Sequence, residues 1–176
     1  MPDTPSSRPV LIFDTTVLSN FATAGQLALL KRLYSGDACT TLMVMEEILR
    51  GLDAGYEYLQ SVREALSPLS DAGWLPMLTD QTPQEKALHS ELPLALGPGE
   101  ASCLVMAITR GLILATDDLA VRRTASERGV RLTGTLGILI RLVREGYLAL
   151  PDANTILARM ISLRYRSPVE RLDELI

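Results

Sequence analysis

The chain predicts a three-layer α/β/α sandwich around a mainly parallel central sheet. Two observations predict it. Short apolar runs alternate with longer segments of helical character along the 176 residues, the pattern of strands joined by crossover helices. Acidic residues also stand directly after these runs or at the next helix start, at Asp14, Glu47, Glu100, Asp117 and Asp118. In open α/β sheets that edge is where ligands bind.

The elements follow in order. Residues 10–13 read as a buried strand, and residues 16–22 and 25–34 as helices. Residues 38–42 are a short strand. A helix over 44–49 is stopped near Gly51 and followed by another over 54–66. Residues 74–78 read as a strand. Thr82, with Pro83 first in the helix and Glu85 third, forms a capping box that opens a helix to about Glu91. Residues 93–99 are a loop carrying Pro93, Gly97, Pro98 and Gly99. A helix over 100–110 bears the small residues Ala101, Ser102 and Ala107 and ends at Gly111. Residues 112–116 are the most strand-like run in the chain. Residues 119–128 are helical, 130–132 a short strand, and 135–145 helical. Pro151 or Asp152 starts a helix that lasts to about Tyr165, and Pro168 opens a final one.

Length and composition fit one globular domain over residues 9–176, after a loose tail over residues 1–8. Arg or acidic residues interrupt every candidate membrane span, and the N-terminus lacks a basic-then-apolar signal. Cys39 and Cys103 lie in apolar contexts and read as buried thiols of a cytoplasmic protein rather than a disulfide. The net charge of −4 argues against a nucleic-acid partner, but its distribution does not. Residues 1–109 hold 6 basic and 13 acidic side chains, whereas residues 110–176 hold 11 and 8. Fifteen of the 17 basic residues are Arg, which suits bidentate phosphate contacts. An Arg-rich C-terminal third could therefore face a phosphate backbone, although any one Arg is as readily a solvated helix residue.

The acids carry the chemistry. Carboxylates gathered at one edge repel, and they stay ionised beside a cation. Oxygen-only ligands select Mg²⁺ or Mn²⁺, and such a metal activates water and neutralises charge on a phosphodiester. Each acid also has a local explanation: Asp14 could cap the helix near Thr16, and Asp117 the helix at Leu119. Competing chemistries fare worse. His89 is the only histidine and reads as a helix-surface residue, and no phosphate-binding glycine motif occurs. An aspartate-nucleophile phosphatase would need a second acid two places after Asp14, where the chain has Thr16.

At these residues the chain resembles the PIN-domain family of metal-dependent nucleases. The carrying segments are Leu11-Ile12-Phe13-Asp14-Thr15-Thr16, Glu47-Ile48-Leu49-Arg50-Gly51, Gly99-Glu100-Ala101 and Thr116-Asp117-Asp118. The stretch Leu132-Thr133-Gly134-Thr135-Leu136-Gly137 resembles a prokaryotic subfamily with a GTLG-type extension. The resemblance implies a Mg²⁺- or Mn²⁺-dependent ribonuclease. It implies catalytic roles for Asp14, Glu47, Glu100 and Asp118, and metal binding by Asp14, Glu100 and Asp118, with Asp117 left beside Asp118 as a candidate ligand. Thr15 would be a hydroxyl near the metal. The partners it implies are an RNA substrate, a small antitoxin and a second copy of the chain. A PIN-like module that binds RNA or protein without cutting is the rival reading. The apolar face over residues 137–142, with the helix from Asp152, is either core or a partner surface.

Overall fold

The computed structural model describes residues 10–176; the tail expected over residues 1–8 lies outside them. Among the described residues six strands form one sheet: β1 (Leu11–Phe13), β2 (Ala38–Thr41), β3 (Leu66–Ser67), β4 (Leu75–Leu78), β5 (Ile113–Ala115) and β6 (Leu132–Thr133). Their order is β3-β4-β2-β1-β5-β6, and every neighbouring pair is parallel. The helices are α1 (Thr15–Thr23), α2 (Leu27–Tyr34), α3 (Leu42–Asp53), α4 (Gln60–Ala65), α5 (Pro83–Glu91), α6 (Pro98–Arg110), α7 (Leu119–Glu127), α8 (Thr135–Arg144) and α9 (Leu150–Ser162). None of them is long and apolar enough to cross a membrane.

β1 is central, with Leu11 opposite both Ala38 of β2 and Ile113 of β5. All three of its residues are buried, as a parallel strand covered on both faces requires. The small residues that the sequence places on α6 let it lie close against β1, β2 and β5, with α5 and α7 beside it. On the other layer α1 packs with α2, α4, α8 and α9. The expected three-layer sandwich is the observed one. Cys39 and Cys103 are both free and buried.

Some boundaries differ, each for a physical reason. Gly51 does not stop α3, which runs on to Asp53. A Cβ at Gly51 would lie 2.3 Å from Leu59 Cδ1, so this glycine serves close packing inside the helix. The helix expected over 54–66 is a single 3₁₀ turn at Glu57–Leu59 followed by α4, because Leu66 leaves it to pair with Leu75 as β3. No helix starts at Pro168. The Ser167 hydroxyl donates to the Val169 carbonyl (2.6 Å) and accepts from its amide (3.3 Å), a local turn that competes with helix initiation. Only a 3₁₀ turn follows, at Leu172–Glu174.

The apolar face of α8 belongs to the core. Ile138, Leu139 and Leu142 are fully buried, as is Leu157 of α9, so these side chains are not on offer to a partner. His89 sits on α5 with its side chain 31% exposed, its ring 2.6 Å from Asp80. Nearby, buried Glu85 closes the capping box of α5 and receives Arg110 Nε of α6 at 2.9 Å. Arg110→Ala leaves that carboxylate without its cation. It should lower the unfolding free energy by about 1–3 kcal/mol, read from the urea midpoint.

Candidate active site

The chain winds from β1 through β2 and β4 to one side, then returns through β5 and β6 to the other. The strand order therefore reverses at β1, and the carboxyl ends of β1, β2 and β5 form the edge at which open α/β sheets bind their ligands. Asp14 follows β1, Asp117 and Asp118 follow β5, Glu47 lies on α3 directly after β2, and Glu100 lies near the start of α6, the helix that leads into β5.

Asp14 follows β1 and caps α1. Its Oδ1 accepts from Thr16 N (3.0 Å), the Thr16 hydroxyl (2.7 Å) and Val17 N (3.2 Å). Thr16 thus fills the place where a phosphatase needs its second acid, and it spends its hydroxyl on locking the first. Asp14 Oδ2 is buried and makes no hydrogen bond. Burial pushes the carboxyl up to about 7; the Thr116 and Thr16 hydroxyls and the Val17 amide moderate the rise, and the charge of Asp117 adds to it. A buried carboxylate oxygen with no partner is costly. It is what a cation would satisfy.

Glu47, on α3, is held on both oxygens. The Thr15 hydroxyl donates to Oε2 at 2.5 Å and the Gly99 amide to Oε1 at 2.8 Å. Position 99 must be glycine for this, since a Cβ there would lie 2.5 Å from Glu47 Oε2 and 2.6 Å from its Cδ. Glu100 opens α6, which begins at Pro98 rather than at residue 100, and its Oε2 accepts from the Gly97 amide (2.8 Å). The Glu100 carboxyl is raised, first by burial and further by the charges of Asp118 and Glu47, against the pull of the Gly97 amide. Thr15, Glu47 and Glu100 thus meet through the turn at residues 97–99, with Asp118 in electrostatic reach.

The adjacent acids at the end of β5 divide their work. The expected cap of α7 by Asp117 is made instead by Asp118, whose Oδ1 accepts from Val121 N (2.9 Å). Asp117 turns to α8. Its Oδ1 accepts from Thr135 N (2.9 Å), and its Oδ2 accepts from Asn20 Nδ2 (2.9 Å) and the Thr135 hydroxyl. Its own amide donates to the Thr16 hydroxyl (3.0 Å). Asp117 therefore ties α1, β5 and α8 together, with neither oxygen open. Asp117→Ala strands several buried donors and should cost about 2–4 kcal/mol of stability. Asp118→Ala loses only a cap, about 1 kcal/mol. Paired urea titrations check the order.

The sequence missed Asn20, Thr135 and the role of Gly99. Asn20 stands one helical turn after Thr16 on α1, the only hint available. Among the described residues no three Asp, Glu, Cys or His side chains stand together as a ready metal-binding group. The acids share one edge, but each is tied to its own element. The donors are nevertheless all oxygen, and one is an unsatisfied buried carboxylate, a set that fits a hard divalent cation.

A family model described as a PIN domain matches residues 10–176. No curated protein matches the chain.

Proposed function

The chain belongs to the PIN-domain family, and from that premise we propose that it is a Mg²⁺- or Mn²⁺-dependent ribonuclease, the toxin of a toxin–antitoxin pair, acting as one domain over residues 9–176 in the cytoplasm. PIN domains are generally nucleases and usually use divalent metal ions. The observation that carries the reading is the unpaired, buried Oδ2 of Asp14 at the switch point.

Asp14, Glu100 and Asp118 would hold the cation, which supplies charge neutralisation at the phosphodiester and a more acidic water. Asp117, engaged by α8, positions the loop that presents Asp118. Glu47, clamped by Thr15 and Gly99, keeps its carboxylate in place and orients the attacking water. Burial, with the charges of Asp118 and Glu47, raises the Glu100 carboxyl, a cost that a bound cation would relieve, and the attacking water gives its proton to solvent. The water adds to phosphorus as the bond to the leaving ribose oxygen breaks.

The purified chain should cleave RNA with Mn²⁺ and stop with EDTA. Cleavage that persists in EDTA would remove the metal from the proposal. Co-expression with a short neighbouring reading frame should relieve growth arrest caused by the chain; arrest that no neighbour relieves would remove the antitoxin. One observation favours a second reading, a module that binds RNA without cutting: the carboxylates stand apart, each on its own element. Tight RNA binding without cleavage under any divalent metal would favour it.

A further inference from the structure

A groove of about 740 Å³ is lined in part by Asp118, within the roughly 300–1,000 Å³ of sites that hold small organic ligands. It is lined by the β5–α7 loop at Asp117, Asp118 and Leu119, by the start of α8 at Leu136 and Gly137, and by Tyr165–Pro168, and the Tyr165 hydroxyl donates to Asp117. The last of these segments lies between the expected end of a helix at Tyr165 and the helix expected from Pro168, and it is held at both ends. At one end α9 closes with Leu163 and Tyr165 amides on the Met160 carbonyl, and Arg164 adopts φ 79°, a conformation uncommon for a non-glycine residue. At the other end the Leu172 amide donates to Asn154 Oδ1 (2.7 Å), and Asn154 Nδ2 donates to Asp173 (2.6 Å). The half-buried Tyr165 is thereby kept beside the groove, and Arg166 is exposed on its rim with no ion pair among the described residues. Leu119, 81% exposed, faces the same space.

The geometry points to a subsite for single-stranded RNA, in which Tyr165 and Leu119 flank the base next to the cleaved bond and Arg166 meets its phosphate. The inference rests on the ribonuclease reading and adds the path of the substrate. Aromatic rings stack on any base, and a nearby cation tracks the backbone. Both signs of charge line the groove, Asp117 and Asp118 on the β5–α7 loop and the guanidinium groups of Arg122 and Arg166.

The test is anisotropy of a labelled RNA of about 12 nucleotides with the full Asp14→Asn chain and Mg²⁺. Arg166→Glu should weaken binding at least about 10-fold and flatten its salt dependence by about 0.7 in log–log slope. Tyr165→Leu should weaken it at least about 5-fold, and Tyr165→Phe, which keeps the ring, less than about twofold. Lys86→Glu, on α5, controls for bulk charge. In the cleaving chain the same changes should raise KM more than they lower kcat.

The subsite is overturned if Arg166→Glu and Tyr165→Leu bind RNA like the parent while the parent cleaves it, which leaves the nuclease standing. Equal losses in Lys86→Glu and Arg166→Glu also overturn it, as does capture of the neighbouring frame's peptide but not RNA. If the parent never cleaves yet Arg166→Glu and Tyr165→Leu abolish binding, the subsite stands and the nuclease reading falls.

Discussion

Asp14→Asn should reduce RNA cleavage by at least about 10²-fold and at the same time make the metal-free protein more stable above neutral pH. The first effect removes the open carboxylate oxygen at the switch point. The second follows from the sign of the Asp14 shift, from 3.8 to about 7 with burial as the first cause. The folded chain holds this proton more tightly than the unfolded chain does. Ionisation of Asp14 therefore works against folding. That cost is absent below about pH 4, grows between about pH 4 and 7, and is complete above it. Its ceiling is on the order of 4 kcal/mol. Asparagine keeps the helix cap and carries no charge, so the variant should melt higher than the parent at about pH 8 and alike at about pH 4. Mg²⁺ or Mn²⁺ should raise the parent's melting temperature and not the variant's. A variant that melts lower than the parent at both pH values would sink the claim that Asp14 is a strained, waiting ligand.

Gly99→Ala should cost about 10²-fold in kcat while the chain stays folded. Alanine suits the first turn of α6, so the helix itself has no objection. The obstacle is Glu47, whose carboxylate occupies the space of the new methyl. To make room the carboxylate must swing away, losing the Gly99 amide and the Thr15 hydroxyl together. A displacement of about 1 Å at a positioned group is enough for a loss of that size. The overpacking should cost about 1–3 kcal/mol of stability. Kinetics of Glu47→Gln and of Gly99→Ala combined with it give the check. If the two changes multiply instead of overlapping, Gly99 acts elsewhere.

Much of this site was legible because strands are short and announce themselves. The apolar runs ending at Phe13 and Thr116 placed Asp14 and Asp118 on one edge, and Thr82 with Glu85 opened α5 where expected. What stayed hidden depends on partners distant in sequence. Gly51 reads as a stop from local propensity, yet Leu59 needs its missing side chain. Asp117 and Asp118 look interchangeable until Thr135, 18 residues on, claims the first of them. Pro168 suggested a helix, but Ser167 had already spent the local hydrogen bonds. The placement of Tyr165 arises from a left-handed residue at Arg164 and a buried Asn154, neither of which periodicity can express.

The pairing of Leu11–Phe13 with Ile113–Ala115 also sets a schedule. Asp14 leaves the ribosome early, but its neighbours on the far side of the sheet come about a hundred residues later, and the Thr135 clamp later still. Synthesis at roughly 5–20 residues per second thus separates the first carboxylate from the last by several seconds. A nascent chain carries its acids unassembled throughout that interval. A chain cut before β6 lacks Thr135, which holds Asp117, and should not complete the candidate site. Late closure of a parallel sheet therefore delays the moment at which the acids can act together.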